Sequence, residues 1–88
     1  MARRVEAKGG AVIIASKNLG IKEEVKKMIR GTGEGVEREI EDLIAEGLSL
    51  LKREEDFEVS QVGIFEGNLS VYIYVILRAK KVHEEVFI

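Results

Sequence analysis

Eighty-eight residues make one small domain with a limited core, and 45% hydrophobic with 34% charged residues excludes a disordered chain. There is no cysteine, which removes disulfides and thiolate chemistry, and no apolar run approaches the roughly 18–20 residues that span a bilayer. The net charge of −2 conceals a gradient: residues 1–30 hold eight bases against three acids (+5), residues 31–58 three against ten (−7), and the rest three against three.

A basic first third on an acidic body allows a surface for an anionic partner, or the pairing of a basic edge with an acidic helix on a second chain. Arg3 and Arg4 precede no apolar segment long enough for a signal peptide, so a cytoplasmic location is expected. Abundant Glu, Lys, Ile and Val without Cys fit a thermophilic source.

In chain order, residues 1–9 read as a flexible arm ending at Gly9-Gly10. Ala11–Ala15, a short apolar run between turn formers, predicts a buried strand. Ser16-Lys17-Asn18 reads as a turn whose Ser16 or Asn18 can cap a helix. Ile21, Val25, Met28 and Ile29 then recur at helical spacing; the competing reading makes Val25–Arg30 a strand, but Lys26-Lys27 breaks its alternation.

Gly31–Leu51 is the centre of the chain, a glycine-rich turn feeding a long amphipathic helix. Its apolar face is Val36, Ile40, Leu43, Ile44, Gly47, Leu48, Leu50 and Leu51, with Glu37, Glu41, Asp42 and Glu46 opposite. Phe57, Val59, Val62 and Ile64 alternate with a slip at Ser60-Gln61, which predicts a strand carrying a bulge. Glu66-Gly67-Asn68 is a tight hairpin turn, and Leu69–Leu77 is a strand apolar on both faces. One face should meet the helix; the other, and Val86-Phe87-Ile88 of a possible docking tail (82–88), call for a partner, so a homodimer or higher oligomer is expected. The expected fold is α+β, a two-layer sandwich with helices on one face of a mostly antiparallel three- or four-stranded sheet. The long helix is expected on Phe57, Val59, Val62, Tyr72, Tyr74 and Ile76, with Gly47 at the closest approach.

No catalytic or metal signature appears. His83 is the single histidine and stands among charges, the serines have no neighbouring base, and the acids follow a helix surface. No enzyme, cofactor or metal is therefore expected. The Gly31-Thr32-Gly33-Glu34-Gly35 turn matches neither a P-loop nor a dinucleotide fingerprint, and Glu34 would repel phosphate. Tyr72 and Tyr74 alternate on one strand face, where they can stack bases or pack across strands.

Met28–Glu41 (MIRGTGEGVEREIE) is similar to the strand–turn–helix block of the Alba family of small archaeal DNA- and RNA-binding proteins, through Ile29, Arg30, Gly33, Val36 and Ile40. FEVSQVGI, Ser70–Lys81 and VIIASKN resemble that family's later strands and its first strand with its basic turn, where Lys17 matches a lysine. The resemblance implies a dimeric β-α-β-α-β-β fold that binds DNA or RNA through backbone contacts without sequence preference. The residues to which it points, with the bases that would widen the patch, are Lys17, Lys22, Lys26, Lys27, Arg30, Lys80 and Lys81. The basic first third favours that nucleic-acid reading; Thr32 and Glu34, which stand where that family carries arginines, the short hairpin and the pI of about 5.5 favour the alternative, an acidic oligomeric interaction or assembly module without nucleic acid. The helix and hairpin also resemble dodecins, small βαββ flavin-storing proteins. Asp56 stands near their flavin-stacking tryptophan, so no flavin is expected.

Overall fold

The computed structural model describes residues 1–30 and 34–81, with the side chains of 28–30 and 34 outside the description. Strands β1 (Ala2–Ala7) and β2 (Gly10–Ile21) lead into helices α1 (Lys22–Arg30) and α2 (Glu34–Leu48), and strands β3 (Glu55–Glu66) and β4 (Ser70–Lys81) follow. The four strands form one antiparallel sheet in the order β1-β2-β4-β3. The helices pack on one face of it, mainly against β2 and β4. This is the two-layer α+β arrangement that the hydrophobic patterning implies. No strand lies between the helices among the described residues. The glycine turn at 31–33 and the tail at 82–88, with His83, fall outside the described residues.

Three sequence expectations are corrected. The first segment is not a frayed arm: Ala2–Ala7 pairs residue for residue with β2, from Ala2 opposite Ala15 to Ala7 opposite Gly10. Nor is Ser16-Lys17-Asn18 a turn. β2 continues through it to Ile21 because β4, twelve residues long, offers a partner along the whole length. The irregularity in that pairing comes between Asn18 and Gly20, where the register shifts and Gly20 takes φ +117°, a conformation that only glycine adopts without strain; pairing resumes with Gly20 opposite Val71 and Ile21 opposite Ser70. The Asn18 side chain accepts the Gly20 N–H at 2.8 Å, so Asn18 closes the bend, not a helix cap. α1 begins at Lys22, whose N–H donates to Leu69 O at 3.1 Å.

The third correction concerns which phase of β4 faces the helix. The buried residues are Val71, Ile73, Val75, Leu77 and Ala79, packed with Ala11, Ile13 and Ala15 of β2 and Leu43 of α2. Tyr72, Tyr74 and Ile76 point to the opposite, open face. Period two cannot choose between the faces of a strand that is apolar in both phases. Sterics chooses here: the helix settles on branched aliphatics and alanines, and the bulky tyrosines go outside. The helix face itself is as expected, with Leu43 buried and Ile40, Ile44, Leu48, Leu50 and Leu51 packed around it. Gly47 marks the close approach, since a Cβ there would lie 2.9 Å from Leu77 Cδ1 and 3.5 Å from Ile13 Cγ2.

Candidate functional site

The seven candidate bases do not form one patch. Lys17 lies on the helix side of β2, opposite Ile73, and makes an ion pair with Glu39 of α2. The Glu39 carboxylate, with Asp42 and Glu46 nearby, holds the Lys17 ammonium above the usual lysine range. A phosphate approaching Lys17 would therefore meet three carboxylates. Lys22, Lys26 and Lys27 gather on α1, with Lys22 half-buried and the other two exposed. Arg30 ends that helix, its side chain outside the described set. Lys80 and Lys81 sit at the far end of the sheet: Lys80 pairs with Gly10, at the opposite end of β2 from Ile21. The eleven residue-to-residue rises from Gly10 to Ile21 separate the two groups, roughly 36 Å at about 3.3 Å per rise.

The open face carries a mixed surface. Cross-strand registers align Val5, Val12, Arg78 and Glu58 in one row, then Arg3, Ile14, Ile76 and Gln61, then Ser16, Tyr74 and Gly63, then Asn18, Tyr72 and Phe65. Tyr74 is not a free stacking platform. Its ring lies over Gly63, where an added Cβ would come within 2.3 Å of it, and its hydroxyl accepts from Gln61 Nε2 at 2.8 Å. Tyr72 and Phe65 meet edge-tilted with ring centroids 6.3 Å apart, and both remain solvent-exposed. Near the β1–β2 hairpin a shallow depression of about 310 Å3 is lined by Lys8, Val12, Arg78 and Lys80. Glu58 lies 3.3 Å from Lys80 and 3.8 Å from Arg78 and offsets part of that positive charge.

On the helix side, β3 presents a second surface. Phe57, Val59, Val62 and Ile64 pair with Ala79, Leu77, Val75 and Ile73, all core residues, so they face the helix layer. The helices nevertheless stand over β2 and β4, with α2 reaching β1, and make no comparable contact with β3. The four side chains stay 40%, 45%, 43% and 53% exposed. The expected bulge falls at Ser60, where the register slips between Val59 and Gln61.

One polar feature escaped the sequence. Arg4, on β1, reaches across the small Ala11 and Ala79 to Glu55 at the start of β3, with Nη1 and Nη2 donating at 2.6 and 2.8 Å. Its Nη1 also donates to Leu50 O at 3.0 Å, beyond the α2 C-terminus. The side chains of Arg4 and Glu55 are 15% and 2% exposed. The hydrogen bonds from Arg4, then that from the Lys52 N–H, lower the Glu55 carboxyl to about 2. Glu55 in turn raises the Arg4 guanidinium above its ordinary value. The pair fastens both sheet edges to the helix exit and contains no reactive group. Reading residues 1–9 as an arm hid it; the small residues at 11 and 79, which leave room for a long side chain to cross, were the available signal.

Among the described residues no cluster of His, Asp or Glu is arranged to hold a metal ion. None of the helices described is long and apolar enough to cross a membrane. No protein-family model matches the chain, and neither a curated protein nor a solved structure matches it.

Proposed function

We propose that this chain is a non-enzymatic assembly module, a subunit that reaches a compact form by self-association. The observation that carries the reading is its shape. The radius of gyration is 15.9 Å and the extents are 59 × 24 × 16 Å. A compact domain of this length has a radius of gyration of about 12 Å. The chain exposes 6795 Å2, against about 5,200 Å2 for a monomer of its mass. A thin sheet with one helix layer leaves apolar side chains bare on both sides, and a partner surface removes that cost. The acidic outer face of α2, Glu37, Glu41, Asp42 and Glu46, keeps such an assembly soluble. Light scattering on the eluting protein at micromolar concentration tests this: a mass that is a multiple of 9.8 kDa is expected, and 9.8 kDa itself would end the proposal.

A second reading, nucleic-acid binding of the Alba-like kind, keeps support from the open face. Tyr72 and Phe65 are exposed there, with Arg3, Arg78 and Lys80 on the same side of the sheet. An open antiparallel sheet with exposed aromatics and flanking bases suits single-stranded nucleic acid, bases on the rings and phosphates on the cations. Titration with labelled single-stranded RNA and duplex DNA at low and moderate salt decides it. Binding lost in a Tyr72→Ala, Arg78→Ala double variant is expected; no binding at low salt would remove the reading.

A further inference from the structure

We propose that β1 is a releasable strap, held down by the Arg4–Glu55 ion pair, and that it opens together with the α2–β3 connection (residues 49–54) as one unit while the rest of the domain stays folded. This step does not depend on whether the chain self-associates.

β1 has little else to hold it. Its ladder runs along β2 only, and Arg3, Val5, Glu6 and Ala7 are exposed. Of its apolar side chains, Ala2 alone packs against the core. An edge strand with so few buried apolar contacts belongs to the low-stability end of a domain. The Met1 amine reaches Glu46 at 3.1 Å, but both groups are solvated and such a pair adds little. The core does not need β1. Ala11, Ile13 and Ala15 pack with Leu43 of α2 and pair with β4, and these contacts remain when the strap lifts. Its hinge is the Lys8-Gly9 turn, where Gly9 takes φ +87° with open space around it.

The ion pair also holds the α2–β3 connection. Arg4 Nη1 donates to Leu50 O at 3.0 Å, and the Lys52 N–H donates to Glu55 Oε1 at 2.9 Å. Both hydrogen bonds therefore end on the pair. Lifting β1 withdraws the guanidinium and leaves the Glu55 carboxylate, 2% exposed with Arg4 in place, without its counter-charge. A buried carboxylate stripped of its partner is strongly unfavourable. Glu55 then turns to water, and the Lys52–Glu55 turn, closed by the Glu55 N–H on Lys52 O at 3.0 Å, moves with it. The Ser16 N–H donates to Met1 O, so alternation aims the backbone groups of Gly10, Val12, Ile14 and Ser16 at β1. Opening leaves them unpaired and makes β2 a sheet edge, the arrangement that accepts an added strand.

Amide hydrogen exchange of the full chain in increasing sub-denaturing urea tests this residue by residue. Within β2, the Val12 and Ile14 amides face β1 and those of Ile13 and Ala15 face β4. Val12, Ile14 and Lys52 are expected to exchange through one opening of small urea dependence. Ile13 and Ala15 should exchange only on global unfolding, with a large dependence. Val5→Gly weakens β1 at an exposed position away from the ion pair. It should speed Val12 and Ile14 roughly two- to fivefold and, because coupling is reciprocal, Lys52 equally. Ile76→Ala, outside the strap, should speed Ile13 and Ala15 about fivefold and leave Val12, Ile14 and Lys52 unchanged. Arg4→Gln should speed the strap amides at least tenfold; if that variant does not fold, the parent and Val5→Gly decide. Val12 and Ile14 opening only together with Ile13 and Ala15 would overturn the strap. A Lys52 rate unmoved by Val5→Gly would overturn its coupling to the connection.

Discussion

Ile73 and Ile76 are the same residue three positions apart on one strand, and truncating each to alanine tests which phase of β4 holds the core. Ile73 is fully buried among Ile13, Leu43, Val75 and Leu77. Its truncation removes buried methylenes and leaves a cavity that a packed helix and sheet cannot close, so a loss of roughly 2–5 kcal/mol is expected. Ile76 faces the open side next to Ile14 and is half-buried. Ile76→Ala gives up only part of that transfer free energy and creates no closed cavity, so about 1 kcal/mol is expected. Unfolding entropy near 2.1 cal/mol/K per residue makes 1 kcal/mol worth about 5 °C in a chain this long. Ile73→Ala should then lower the midpoint by about 11–27 °C and Ile76→Ala by about 5 °C. Urea titrations at one fixed protein concentration provide the comparison, with equal slopes required for the midpoints to be read as stabilities. If Ile76→Ala cost as much as Ile73→Ala, the core would lie on the other face and the register argument would fail.

The Arg4–Glu55 pair predicts a specific acid response. The Glu55 carboxyl ordinarily titrates near 4.5 and is lowered to about 2, so its contribution is complete above pH 4.5 and fades as pH falls toward 2. The stability gap between the parent and Glu55→Gln should narrow over that window, and a gap constant with pH would contradict the pairing. Gly47→Val should destabilise by roughly 1–3 kcal/mol by overpacking against Leu77 and Ile13; thermal denaturation unchanged by it would place the helix farther from the sheet. Should nucleic acid bind, Lys17→Ala should leave the salt slope unchanged because Glu39 already engages that lysine. Arg78→Ala with Lys80→Ala should reduce the slope on duplex DNA by about 2, near 0.9 for each phosphate no longer neutralised. A slope that fell with Lys17→Ala would show the ion pair opening for phosphate.

The sequence carried the long helix, its buried stripe, the Gly47 approach and the bulge at Ser60 because each rests on a local period or a missing side chain. The inward phase of β4 was not legible, since Ile73 and Ile76, or Val75 and Tyr74, satisfy burial equally until a helix is placed on them. β1 was hidden for a related reason. Arg3, Arg4 and Glu6 make it look solvated, whereas Arg4 is drawn inward by Glu55, 51 residues away. The extension of β2 through Lys17 and Asn18 likewise depends on the reach of β4, a long-range pairing that no window of local sequence contains. Of the candidate bases, Lys22, Lys26 and Lys27 did fall together because one helix carries them. Lys80 and Lys81 did not, because an antiparallel strand returns its far end to the other end of the sheet.

Self-association is the central claim, and the thermal midpoint measured over a hundredfold range of protein concentration tests it most directly. If the fold is completed by a second copy, mass action raises the midpoint with concentration. The account predicts that rise for the parent. A parent midpoint independent of concentration would contradict it.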